Sequence, residues 1–163
     1  MEELEKSVSV FSYILTKLNG PNMVIGGSTA LKLHGLVFSR EVNDLDIIIY
    51  SPTIEQTEEL GRLSKLYPKE NSTYLDSKVI KVIHKSFLKR TYKLDIIVEN
   101  ESTPKVLLFV DVFNHKVKVQ SISNIVKAKS SYIKHLDSRG SSEYYPKKDI
   151  SDLLNLKNSN FNL

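Results

Sequence analysis

Two short motifs in the first fifty residues carry groups that could handle a phosphate and a metal ion. Gly26, Gly27 and Ser28 follow a short apolar run, and an Asp-Leu-Asp sequence occupies residues 44–46. Glycines let a chain turn tightly and let a ligand approach the backbone. The amide groups at the start of a following helix favour an anion, and the serine adds a hydroxyl donor. An ordinary strand-to-helix turn with a capping serine would look the same.

The two aspartates of the second motif predict a metal site. Asp44 and Asp46 lie two apart on a predicted strand, so both carboxylates project from one face. Like charges that close repel each other unless a cation or strong donors lie between them. Mg²⁺, with Mn²⁺ as an alternative, binds hard oxygen ligands and leaves positions for substrate phosphates. A polar strand end is the ordinary alternative.

A later acid is a candidate for the same site. Asp95 interrupts an otherwise apolar run from Leu94 to Val98, and a charge in such a run needs a partner. If this strand lies beside residues 44–50, Asp95 completes a three-carboxylate cluster for two metals, or acts as a base. Asp111, within Phe109–Phe113, is the competing third acid. Asp95 is preferred because the strand around it is better defined.

The elements that must position these groups follow from periodicity and turn signals. Helical spacing from Leu4 to Leu18 predicts a first helix. The remaining predicted helices cover residues 28–34 with Ser28 as N-cap, 54–66, a stretch from Ser121 or Ser123 to about 136, and 148–156. The predicted strands are 23–25, 44–50, 78–84, 91–98 and 116–119. This order predicts an α/β (α+β) fold, a mixed sheet flanked by helices. We expect one domain over 1–163, with a sheet-containing core to about 120 and C-terminal helices over about 121–157.

Composition limits the possible chemistry and partners. The 163-residue chain has no Cys, so thiol chemistry is excluded. Its acidic start and the lack of a long apolar stretch predict a cytoplasmic protein without a membrane segment. Residues 61–94 carry two acids against nine bases: Arg62, Lys65, Lys69, Lys78, Lys81, Lys85, Lys89, Arg90 and Lys93. Such a segment can attract RNA or another polyanion, or it can be a solvated lysine face.

Taken together, these motifs resemble the nucleotidyltransferase superfamily, whose fold is that of DNA polymerase β. Gly27-Ser28, Asp44 with Asp46, and Asp95 stand where that superfamily carries its turn and its acids. Residues 24–46, with His34-Gly35 and Arg40, look most like the branch that includes the AbiEii-type toxins. Lys127, Lys129 and the segment 148–153 extend the resemblance to about residue 155. Val42 departs from the branch, which often has Thr there.

The resemblance implies transfer of a nucleoside monophosphate from a nucleoside triphosphate to an acceptor, with pyrophosphate leaving. Gly26, Gly27 and Ser28 would hold phosphates, while Asp44, Asp46 and Asp95 would hold metal. Arg40, Lys127 and Lys129 would contact phosphate or acceptor, with solvated surface charge as the alternative for each. The branch also implies a toxin with an antitoxin partner. The competing hypothesis is a catalytically inactive module that binds nucleotide or RNA with the same fold.

Overall fold

The computed structural model describes residues 2–35, 44–67, 71–74, 77–85, 91–104, 108–112, 115–127 and 129–130. The helices are α1 (Glu2–Val10), α2 (Ser12–Leu18), α3 (Gly27–Leu33) and α4 (Ile54–Leu66), and residues 122–127 and 129–130 are also helical. The strands are β1 (Met23–Ile25), β2 (Asp44–Tyr50), β3 (Asn71–Tyr74), β4 (Ser77–Lys85), β5 (Thr91–Glu99), β6 (Leu108–Val112) and β7 (His115–Val119). The predicted helix 148–156 lies outside these residues.

A mixed sheet forms the centre of the fold. Within the described ranges it has seven strands in the order β3-β4-β5-β2-β1-β7-β6. The central strand β2 runs parallel to β5 and antiparallel to β1, and β1 runs parallel to β7. Helices pack on this sheet, so the predicted α/β class is confirmed. None of the described helices is long and apolar enough to cross a membrane.

Alternation along β2 sorts its side chains between the two faces of the sheet. Leu45, Ile47 and Ile49 enter the main core together with apolar residues of α1, α2 and α4. Ile48 and Tyr50 pack on Val24 in a smaller cluster. Because side chains two apart share a face, Asp44 and Asp46 lie on the same face as Ile48 and Tyr50. The acids therefore face away from the main core.

The predicted helix over residues 54–66 is confirmed as α4, and its start is well specified. Thr53 and Gln56 form a reciprocal capping box, which satisfies two amides that the helix would otherwise leave unpaired. The buried Gln56 also donates from Nε2 to the carbonyl oxygen of Leu18 at 2.8 Å. That bond joins the start of α4 to the end of α2.

Two parts of the fold differ from the sequence prediction. The predicted first helix is interrupted at Phe11, whose backbone (φ −99°, ψ 15°) separates α1 from α2. Phe11 is nevertheless buried in the main core, so the apolar periodicity continues across the break. The outermost strands β3 and β6 were not predicted. The polar sequence of β3 (Asn71–Tyr74) lacks the apolar alternation that marks a strand.

Candidate active site

The Gly-Gly-Ser turn connects β1 directly to α3. Gly26 is the N-cap of the helix in an extended conformation, and α3 begins at Gly27. The prediction that Ser28 is the N-cap is therefore wrong, and the 2% exposed serine lies inside the first turn. A Cβ on Gly26 would lie 2.8 Å from Ile48 Cδ1 and 2.9 Å from Gln120 Oε1. A larger residue here would have to displace the ends of both side chains. The cap thus lies two residues before the predicted one, and α3 begins one residue before the predicted start.

This turn is fastened to the strand that carries the aspartates. The Gly26 amide donates to the Asp46 carbonyl oxygen at 3.0 Å, and Thr29 Oγ1 donates to the Asp44 carbonyl oxygen at 2.8 Å. Gly27 has φ +60°, and its Cα lies against the Asp46 carboxylate. The two motifs thus form one structural unit, with the start of α3 beside the first carboxylates.

The sheet register decides between the two candidate third acids. Asp95 on β5 is aligned with Asp46 on β2, so the two side chains project from the same face. Asp44 and Asp46 share that face. Asp111 lies on β6, three strands from β2 across β1 and β7, or roughly 14 Å at normal strand spacing. The structure therefore brings Asp95, and not Asp111, next to the Asp-Leu-Asp motif.

The three acids are of the right chemical type to bind a metal ion, but their side chains are not arranged as a metal-binding group. Three carboxylates on one sheet face supply the hard oxygen donors that Mg²⁺ prefers. Among the described residues, however, no three His, Asp or Glu side chains converge into a group that could hold a metal. Asp44, Asp46 and Asp95 are aligned by the strand register but are not gathered into a ligand set. The metal therefore stays a prediction.

Gln120 is a site residue that the sequence did not reveal. Its side-chain Oε1 accepts a hydrogen bond from the Gly27 amide at 3.2 Å. Its backbone amide donates to Ile25 O at 2.8 Å, and its carbonyl lies 2.8 Å from His34 Nε2. Because a carbonyl only accepts, that ring nitrogen carries the proton. Gln120 thus joins both ends of α3, and it engages an amide that was predicted to face a phosphate.

The two predicted lysines lie in different environments. The Ser121 hydroxyl accepts from the Asn124 amide at 3.3 Å, so Ser121, and not Ser123, caps the helical stretch. Residues 131–136 of that predicted helix lie outside the described residues. Lys127 is exposed, whereas Lys129 is only 6% exposed. The alternative of a solvated surface charge is therefore wrong for Lys129. A lysine that is buried in this way almost always has a partner. Arg40 and the segment 148–153 lie outside the described residues.

Comparison with known proteins supports the fold. No protein-family model and no curated protein sequence matches the chain significantly. Among solved structures, the fold is similar to that of a Helicobacter pylori protein described as a nucleotidyltransferase, with 20% identity, a TM-score of 0.53, and 94% of this chain and 67% of that protein covered. It is also similar to an antigenic nucleotidyltransferase-like protein from Paracoccidioides brasiliensis, with 19% identity, a TM-score of 0.52, and coverages of 95% and 75%. The chain therefore has the nucleotidyltransferase fold.

Proposed function

We propose that the protein is a metal-dependent nucleotidyltransferase that moves a nucleoside monophosphate from a nucleoside triphosphate to an acceptor hydroxyl. One observation carries this proposal. The Gly26-Gly27 turn is hydrogen-bonded to the strand of Asp44 and Asp46, and Asp95 is in register beside them. A turn that can bind phosphate thus lies next to three carboxylates that can bind metal, and phosphoryl transfer needs both groups side by side. The fold shared with nucleotidyltransferase structures agrees with it.

The reaction assigns a role to each part of the site. The acceptor oxygen forms a bond to the α-phosphorus, the bond from that phosphorus to the α–β bridging oxygen breaks, and pyrophosphate leaves. Gly27 and Ser28 hold the phosphates of the leaving group. Gly26 lets those phosphates approach the backbone, while its amide stays bonded to the Asp46 carbonyl oxygen. Asp95 receives the hydroxyl proton. Asp44 and Asp46, with Asp95, would hold Mg²⁺ or Mn²⁺, which when bound neutralises charge on the reacting phosphate.

Binding of the nucleotide requires two local adjustments in this proposal. The Gly27 amide must exchange its bond to Gln120 Oε1 for one to a phosphate oxygen. The three carboxylates must move toward each other, because among the described residues they do not yet form a metal-binding group. Both changes involve side chains, while the backbone bonds between turn and strand remain.

The acceptor and partners belong to the same proposal. The basic segment 61–94 supports RNA as the acceptor. Sequence similarity of residues 24–46 to the AbiEii-type branch supports a toxin role under an antitoxin protein. The same resemblance supports contacts to phosphate or acceptor from three basic residues, Arg40, Lys127 and Lys129.

A specific observation favours a second candidate function. The Gly27 amide is engaged by Gln120, and no metal-binding group of three acids is formed in the described part of the chain. A catalytically inactive module that binds nucleotide or RNA with this fold would have these features. Such a module would bind its ligand without releasing pyrophosphate.

The two candidates are separated by measuring binding and transfer on the same preparations. Calorimetry with each nucleoside triphosphate, with Mg²⁺ or with EDTA, should show metal-dependent binding that Asp44→Asn/Asp46→Asn abolishes. Asp111→Asn is the matched control, since Asp111 lies on β6, far from β2. Incubation with α-labelled triphosphates and total RNA should label an acceptor and release pyrophosphate. Metal-independent binding that survives the double substitution would contradict the site assignment, while binding without any transfer would favour the inactive module.

A further inference from the structure

Two lysines of the basic segment lie in register with the carboxylates. Lys81 on β4 is the direct cross-strand neighbour of Asp95 on β5, and Lys93 on β5 is aligned with Asp44 on β2. Directly opposed residues project from the same face of a sheet. Both lysines are exposed. The face that carries the three acids therefore also presents two accessible cations.

These residues form a row across the sheet that has a direction. The Gly27 turn follows β1 and contacts Asp46 on β2, Asp95 lies on β5, and Lys81 lies on β4. At a strand spacing of about 4.8 Å, Lys81 is roughly 10 Å from β2 on the side away from the turn. In phosphoryl transfer the attacking and leaving oxygens are roughly in line. If the turn holds the leaving pyrophosphate, the acceptor must arrive over β5 and β4.

The structure also separates these lysines from other members of the basic segment. Arg62 on α4 is ion-paired with Glu59. Lys78 is exposed on the same strand as Lys81, but it is aligned with Val98 and lines a pocket beside Leu60 of α4. Lys78 therefore lies on the opposite face of the sheet. Among the basic side chains of this segment that the structure describes, Lys81 and Lys93 are the two on the acid-bearing face.

We infer that Lys81 and Lys93 bind backbone phosphates of the acceptor, and that the acceptor is an RNA strand. This inference rests on the proposed function, because it assumes that the Gly26-Gly27 turn holds the leaving pyrophosphate and that Asp95 accepts the proton of the acceptor hydroxyl. Two exposed cations on neighbouring strands suit consecutive phosphates, whereas the same two lysines would repel a cationic acceptor. The reacting hydroxyl then lies at Asp95, with phosphates of the same strand on the lysines.

The salt dependence of RNA binding tests the inference. Fluorescence anisotropy of a labelled single-stranded RNA oligonucleotide is measured against the full chain at several NaCl concentrations. Each phosphate contact that is lost should reduce the slope of log affinity against log salt by about 0.7. Lys81→Gln and Lys93→Gln should each produce that change and weaken RNA binding several-fold at low salt. Lys78→Gln, on the opposite face of the same strand, is the matched control and should leave the slope unchanged.

Several results would overturn the inference. These are no RNA binding by the parent chain, unchanged slopes in the Lys81 and Lys93 variants, or an equal loss in the Lys78 variant. A loss of heparin binding as large as that of RNA binding would indicate a general anion surface instead. Thermal melting confirms that the variants are folded.

Calorimetry with nucleoside triphosphate keeps the two proposals apart. If the Lys81 and Lys93 variants keep the salt slope of the parent while the parent binds nucleotide, only the acceptor assignment is refuted. Absence of nucleotide binding while the slope effect persists refutes the transferase and leaves an RNA-binding face.

Discussion

The carboxylate of Asp46 lies against the Cα of Gly27, so that a Cβ built on the glycine would be 3.1 Å from Asp46 Cγ and closer still to Oδ2. Gly27 also has φ +60°, a conformation that side chains with a Cβ disfavour. Residue 27 is therefore restricted to glycine for two reasons: its backbone conformation, and the space that the Asp46 carboxylate occupies. The same contact also holds the acid at the first turn of α3.

Gly27→Ala should destabilise the fold and disturb the acid. The positive φ alone costs about 1–2 kcal/mol of unfolding free energy for alanine, and the collision with Asp46 adds to it. Gly35→Ala separates the two effects, because Gly35 has φ +96° but no atom within 4 Å of a built Cβ. Gly61→Ala, at an exposed position of α4 with open space, should stabilise by roughly 0.5–1 kcal/mol. Urea unfolding measures all three free energies.

Nucleotide affinity gives the second measurement on these glycine variants. We expect Gly27→Ala to weaken nucleoside triphosphate binding, while Gly35→Ala and Gly61→Ala leave it within about twofold. Equal losses of stability in the Gly27 and Gly35 variants would show that the Asp46 carboxylate moves away without cost, contrary to the contact described.

Gln120→Glu should weaken nucleotide binding while it preserves the turn. A glutamate keeps an acceptor oxygen for the Gly27 amide, which Gln120 Oε1 now contacts at 3.2 Å, but it adds a negative charge where the phosphates are proposed to bind. For a partly exposed pair of like charges we expect a penalty of about 1.4 kcal/mol, or roughly tenfold in Kd, that shrinks with added salt. Calorimetry at two ionic strengths measures it.

Gln120→Ala is the comparison that isolates the charge. It removes the competitor for the Gly27 amide, so nucleoside triphosphate should bind as tightly as to the parent chain or more tightly. If the alanine and glutamate variants lose affinity equally, Gln120 acts only by shaping the turn, and the charge interpretation is wrong.

Local signals account for the elements that sequence predicted well. The strand of Asp44–Tyr50 has a dense β-branched run, and α4 begins with a capping box, and both elements were predicted with their observed bounds. The break at Phe11 was not predictable, because burial of that ring continues the helical periodicity. The cap residue Gly26 donates its amide to the Asp46 carbonyl oxygen on another strand, a long-range contact that no local pattern contains.

The candidate site was predictable only as far as its motifs are contiguous in sequence. Residues 26–28 and 44–46 were found from type and spacing. Asp95 was predicted on the condition that its strand lies beside 44–50, and the parallel β2–β5 pairing supplies that condition. Gln120 contacts Gly27 across 93 positions of the chain. No spacing rule reaches that far, so a contact of this kind appears only in the folded chain.

Lys129 and Lys127 form a natural pair for testing the last helical stretch. Lys129→Gln should lower the free energy of unfolding by roughly 2–3 kcal/mol, because the residue is only 6% exposed and the loss of its ammonium group removes a buried polar interaction. Lys127→Gln replaces an exposed side chain and should change stability by less than about 0.5 kcal/mol. Urea unfolding at one pH measures both. A Lys129 variant as stable as the Lys127 variant would show that the buried amine is not needed for folding.

Tyr50 should make stability depend on alkaline pH. The ring is buried in the smaller core cluster, and its burial, together with Glu99 and Glu101, raises the pKa of the phenol to about 12. In the unfolded chain the phenol ionises near pH 10. The folded state therefore favours the neutral phenol, so this contribution is complete below about pH 10 and is lost as the pH rises toward 12. The loss should amount to roughly 2 kcal/mol.

Tyr50→Phe provides the control for this pH effect, because it keeps the buried ring and removes the ionising group. The informative quantity is the difference in unfolding free energy between parent and variant, because contributions common to both chains cancel in it. That difference should be constant from pH 8 to 9.5 and should then shift in favour of the variant up to pH 12. Glu99→Gln should reduce the shift, since it removes one of the charges that oppose ionisation. A difference that stays flat to pH 12 would mean that the phenol ionises equally well in the folded and unfolded chains.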